Sequence, residues 1–132
     1  STPYGYVFNN CRFLAEEGVA DGAYRMARPW GADDSTTFMN CYLGRAISLE
    51  TSYGDMSGNL AENARFAEYG SYGPGYTVNN KRPYLTSAQA AKFKTDTVMG
   101  DYDYSARTAT LYGTQQEKPK TDITVVDKAE VV

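Results

Sequence analysis

Arg28 and Trp30 are the residues of this sequence best placed to act on a polar ligand. In an extended segment they stand two apart and project from one face, with Met26 beside them and Pro29 on the other side. A guanidinium offers a planar fork of donors to a carboxylate, and an indole offers an apolar plate. Each also has an ordinary reading, since a lone arginine is usually a solvated surface charge and a lone tryptophan is usually core. Asp33 with Asp34 invites a paired-acid reading, and Asp101 with Asp103 a calcium one. The first pair sits in a Gly-Ala-Asp-Asp-Ser turn, where aspartates cap backbone amides. The second lacks the remaining oxygen ligands and the glycine of a calcium loop.

Absent residue types narrow the chemistry further. With no histidine in the chain, a Ser-His-Asp triad, a Cys-His dyad and nearly all zinc-hydrolase sites are excluded within it, so catalysis must draw on carboxylates, amides or arginine. The glycine-rich run Gly70 to Gly75 is no phosphate loop, because no Lys-Ser or Lys-Thr follows and Tyr76-Thr77-Val78 reads as strand. Cys11 and Cys41 form neither a disulfide framework nor a metal-ligand spacing, and nothing calls for a cofactor. Twelve tyrosines suit sugar-binding surfaces as well as half-wet packing layers, and packing accounts for most of them.

The elements that must position these groups fit in one domain, for which 132 residues suffice. An apolar fraction of 42% and a charged fraction of 22% are ordinary, and no run approaches the roughly 18 apolar residues of a membrane span. The net charge of −3 is not segregated by sign, so neither a nucleic acid nor a membrane surface is indicated as partner. Ser1-Thr2-Pro3 is not a signal peptide and leads at once into a strand-like run, Tyr4 to Leu14, so the chain reads as a piece.

Comparison of the chain with itself aligns Phe8-Asn9-Asn10-Cys11 with Phe38-Met39-Asn40-Cys41, an offset of 30 residues. A looser third copy, Arg65-Phe66-Ala67-Glu68-Tyr69-Gly70, follows. Short strands at such a period indicate stacked coils, and a β-solenoid fits best. Asn10 and Asn40 then form one rung of a corner ladder, and Cys11 and Cys41 are thiols one coil apart acting as small apolar fillers. Thr86-Ser87-Ala88-Gln89 is a capping box that predicts one helix, roughly Ser87 to Met99, stopping at Gly100. Beyond Asp101, residues 115–120 read as a polar linker and Thr121 to Val126 as β-like, giving a domain over 1–100 and a peripheral tail or linker over 101–132.

Five elements in order, Tyr4-Gly5-Tyr6-Val7-Phe8-Asn9-Asn10, Ala27-Arg28-Pro29-Trp30-Gly31, Thr36-Thr37-Phe38-Met39-Asn40, Asp55-Met56-Ser57-Gly58 and Phe66-Ala67-Glu68-Tyr69 running to Gly75, resemble the C-terminal half of bacterial-type pectin methylesterases. Leu85 to Ala91 is similar to that family's closing helix. The resemblance implies an all-β fold, a right-handed parallel β-helix with a C-terminal α-helix, and a secreted or cell-surface setting. It implies hydrolysis of galacturonate methyl esters in pectin by an aspartate nucleophile, a second aspartate that moves protons, and glutamines that hold the oxyanion. Those acids lie upstream of the Tyr-Gly-Tyr-Val strand in the family, and none corresponds to a residue here. What carries over is Arg28, matching an arginine that pairs with the nucleophilic aspartate, Trp30, matching a tryptophan of the substrate cleft, and Met56, near the substrate groove. The expected partners are the upstream part of the same enzyme and homogalacturonan. A solenoid opened mid-stack exposes strand edges, so association with that part or with a second copy is expected. The competing expectation is a non-catalytic β-helix module that binds pectic sugar or serves as a stalk.

Overall fold

In a computed structural model that describes residues 3–102, the 30-residue period becomes a stack of parallel strands. Strands β1 (Tyr6–Asn9), β3 (Ser35–Met39) and β5 (Arg65–Tyr69) form one sheet in that order, with Tyr6 opposite Thr36 and Thr36 opposite Phe66. The short strands β2 (Arg12–Phe13) and β4 (Tyr42–Leu43) form a second sheet, which Tyr72 extends by a parallel bridge. The run Tyr4 to Leu14 is thus two strands in different sheets, divided by a corner.

That corner carries the repeat. Asn10 and Asn40 both adopt left-handed backbone, at φ 56° and 54°, which asparagine tolerates better than other side chains. Their amides donate to Met39 and Tyr69 of the next coil at 2.9 and 2.7 Å. At the third rung stands Gly70, at φ 70°, where a Cβ would collide with the Asn40 side-chain oxygen.

A third face of each coil is made of isolated parallel bridges, Tyr24 to Ile47 and Ala27 to Tyr53. Its offsets, 47 − 24 = 23 and 53 − 27 = 26, fall short of 30 because the second coil reaches this face sooner and then spends more chain leaving it. The excess is a loop with a tight turn at Ser57-Gly58, both at positive φ, and a 3-10 turn at Ala61–Asn63. The stacked coils are the architecture of a parallel β-helix.

Aromatic rings fill the interior. Phe8 stacks on Phe38 at 5.3 Å between centroids, Phe38 meets Tyr53 edge-on, and Tyr53 stacks on Phe66 at 5.3 Å. Phe38, Cys41, Leu43 and Ile47 are the buried centre. Cys41 is fully buried, Cys11 is half-buried, and both are free thiols. The row below Phe38 holds Glu68, buried completely and met by the Arg82 guanidinium in two contacts of 2.6 and 2.7 Å. Ser71 donates to the same carboxylate, and Arg82 also reaches Ser52 and the Gly75 carbonyl. A closed network of this kind is what lets an ion pair sit inside an apolar stack.

Two expectations need correction. Residues 76–78 are not strand, because the Gly73-Pro74-Gly75 turn packs its backbone against Leu43 and Gly44 and carries the chain out of the sheet. The closing helix is not continuous. The capping box at Thr86 and Gln89 is present with both bonds, but α1 is only Ser87–Ala90, a 3-10 turn follows at Ala91–Phe93, Lys94 is extended at ψ 144°, and α2 starts again at Thr95–Met99. Thr95, Asp96 and Thr97 are poor helix-interior residues, and the break lets Phe93 pack edge-on against Tyr4 of the first coil at 5.7 Å. The readings for residues 115–120 and 121–126, and most of the tail reading, lie outside the described residues, as does Asp103 of the pair set aside above.

Candidate active-site groove

The third face and the corner that follows it present the sequence-derived site residues. Arg28 follows the bridged Ala27, and the next two residues part company, Pro29 being fully buried while Trp30 is 79% exposed. Pro29 is an anchor that forces Trp30 outward. Met26 does not share the outer face with them. It packs, half-buried, against the core, because the bridges at Tyr24 and Ala27 are too short to keep a regular alternation.

Arg28 and Trp30 line one groove of about 440 Å³ together with Tyr6, Thr36, Arg65 and Phe66. Trp30 is held by its backbone: its amide donates to Asp34 Oδ2 at 2.6 Å, the Gly31 amide donates to the same oxygen, and Asn59 Nδ2 donates to the Trp30 carbonyl. Asp34 therefore caps amides, as its turn context led one to expect. Asp33 instead pairs with Arg65 at 2.9 Å. Arg28 donates from Nη2 to Met56 Sδ at 2.8 Å and from Nε to the Asp55 carbonyl at 3.4 Å. Among the described residues no carboxylate pairs with Arg28. Met56 is half-buried behind Arg28 and is not among the residues lining the groove.

Sequence reasoning missed Asp55, Asn59, Arg65 and Tyr6 as parts of this surroundings. Asp55 and Asn59 come from a loop without a counterpart 30 residues earlier, so no repeat signal could have marked them. Tyr6 lies in the sheet register above Thr36 and Phe66, and its exposure follows only from its place at the end of the described stack.

Stacked parallel coils with an outward arginine and an exposed indole in one groove define a β-helix protein with a candidate ligand-binding face. No protein-family profile matches the chain. Pectinesterase A of Dickeya dadantii (strain 3937) is 36% identical over 75% of this chain and 33% of its own length, and Pectinesterase A of Dickeya chrysanthemi is 35% identical with the same coverage. Among solved structures, an aspartate-to-alanine mutant of a pectin methylesterase in complex with a hexasaccharide superposes with a TM-score of 0.64 at 29% identity, over 77% of this chain and 36% of that one. The pectin methylesterase of Erwinia chrysanthemi superposes at 0.63 and 27% identity, over 77% and 36%. That of Yersinia enterocolitica, at 0.64 and 22% identity, shows the fold. The chain is similar to pectin methylesterases in sequence and in fold, and it spans about a third of the length of the curated relatives it matches.

Proposed function

We propose that this chain is the C-terminal part of a pectin methylesterase, the last coils of a right-handed parallel β-helix, and that it contributes to hydrolysis of methyl esters of polygalacturonate to pectate and methanol. The observation that carries the reading is Arg28. Its guanidinium faces the groove beside an exposed tryptophan, is braced from behind by Met56 and the Asp55 carbonyl, and meets no carboxylate among the described residues. A nucleophilic aspartate supplied by upstream coils would fit there, since a guanidinium keeps a carboxylate ionised and fixes its orientation. Trp30 then covers the apolar face of a sugar ring. The ester carbonyl is attacked by that aspartate, methanol leaves with a proton from a second acid, and water releases the acyl group.

A second reading, a non-catalytic β-helix module that binds pectic sugar or acts as a stalk, is favoured by a different observation. The three aspartates nearest the groove are all engaged, Asp33 by Arg65, Asp34 by two amides and Asp55 by the Ala61 amide. The chain therefore brings Arg28 no reacting acid of its own among these three. Methanol release from methylated pectin separates the readings when measured for this chain alone and after mixing with an upstream segment that carries the acids. Activity in the mixture that Arg28→Ala abolishes supports the esterase. Sugar binding without activity in either case supports the module.

A further inference from the structure

On the third face a second cleft, of about 400 Å³, is lined by Arg25, Arg28, Thr51, Tyr53, Gly54 and Asp55. Arg28 belongs to both this cleft and the Trp30 groove, so the two are continuous at that residue. Arg25 is not loosely placed. Its side chain lies across Gly54 so closely that a Cβ there would collide with the Arg25 Cδ and Nε atoms. Glycine at position 54 is thus the seat that lays the guanidinium flat on the coil surface. Among the described residues no carboxylate pairs with Arg25. Asp55 is the acid lining the cleft, and its Oδ1 is taken up by the Ala61 amide at 2.8 Å. Two positive charges therefore share one cleft with little to offset them, an arrangement that draws an anionic ligand.

We propose that Arg25 forms a subsite for the carboxylate of a free uronate in the substrate chain, next to the sugar that lies on Trp30. The inference rests on the esterase reading for the identity of the polymer. Arg28 is given over to the incoming acid of the reacting centre, which leaves Arg25 to take a carboxylate of the ligand. A guanidinium fork matches a carboxylate and has no such partner in a methyl ester. Thr51 adds a hydroxyl beside it that can meet those of the sugar. The chain then prefers stretches in which the neighbouring galacturonate is already de-esterified.

The test is binding of unesterified hexagalacturonate and of its fully methylated counterpart to the whole chain, by calorimetry at low and high salt. The acid form is expected to bind about five- to tenfold more tightly at low salt, with the preference shrinking as salt rises. Arg25→Ala should make the two ligands equal, Arg25→Lys should recover part of the preference, and Gly54→Ala, which keeps the charge but removes the seat, should weaken it. An undiminished preference in Arg25→Ala overturns the inference, and so does a chain that binds neither form. Methanol release from the mixture with upstream coils is read separately, so failure of the subsite and failure of the esterase reading remain distinct.

Discussion

The guanidinium of Arg28 donates to the thioether sulfur of Met56 across 2.8 Å, so a side chain of the first coil is braced by the loop that follows Tyr53 in the second. Thioether sulfur is a weak acceptor, and the thioether also supplies an adaptable apolar wall. These two contributions separate by mutation. Met56→Ala should cut methanol release by the reconstituted enzyme about tenfold by letting Arg28 swing, a displacement that proximity effects punish heavily. Met56→Leu, which restores the wall without the acceptor, should recover most of that rate. Equal damage in both variants would assign the role to the sulfur.

Glu68 and Arg82 should behave as a buried pair that is worth little against apolar replacement but much against half-removal. Arg82→Met leaves the Glu68 carboxylate stranded under Phe38 and should cost about 3–5 kcal/mol of unfolding free energy. The double variant Glu68→Gln with Arg82→Met should regain a good part of it. Urea unfolding of the four chains, wild type included, gives the coupling directly. Additive losses would mean that the pair does not act as a unit.

How much of this was legible in the sequence depends on the face of the coil. Two sheets repeat at 30 residues, so Phe8 over Phe38 and Asn10 over Asn40 betrayed the stack and its corner. The third face repeats at 23 and 26, and its residues therefore leave no internal echo. Arg28 and Trp30 lie there and came to notice through family resemblance, not through the period. Glu68 shows the opposite limit. The third copy of the repeat was visible, yet a charged residue in the row of Phe38 makes physical sense only once Arg82, which no short-range pattern links to it, closes over it. The helix was over-read because its capping box is a strong local signal, whereas the break at Lys94 answers to a contact between Phe93 and Tyr4 far away in the chain.

Alkaline pH should destabilise the fold in a way that Tyr53 makes measurable. Burial, then the neighbouring Glu68 charge, pushes the Tyr53 hydroxyl above its ordinary value of 10.0. Burial likewise raises Tyr84, and raises Cys41 above 9.0. Below about pH 9 folded and unfolded chains both hold these protons, and the contribution to stability is complete. As pH rises past 9 to 10 the unfolded chain sheds protons that the folded chain keeps, so the unfolded state binds fewer and stability falls with pH. The urea midpoint is expected to drop between pH 9 and 11, and Tyr53→Phe should flatten that slope by removing one of the linked protons. A slope unchanged in the variant would show that Tyr53 ionises as readily in the fold as out of it.

Trp30 is the chain's single tryptophan and stands 79% exposed, which makes it a reporter free of background. Its emission should be that of an indole in water, and it should be quenched readily by a small neutral quencher. Seating a sugar ring on the indole removes apolar area from water and shields that face. Hexagalacturonate should therefore shift the emission to shorter wavelength and reduce quenching. Trp30→Ala should weaken binding about three- to tenfold, with Trp30→Phe in between, since a phenyl ring retains part of the plate. Asp34→Ala tests the same platform without touching the indole. It removes the oxygen that holds the amides of Trp30 and Gly31, so the ring keeps its area but loses its fixed direction. Binding should weaken in that variant while the free-state emission stays where it was, and a blue-shifted free state would mean that the tryptophan had collapsed onto the coil instead.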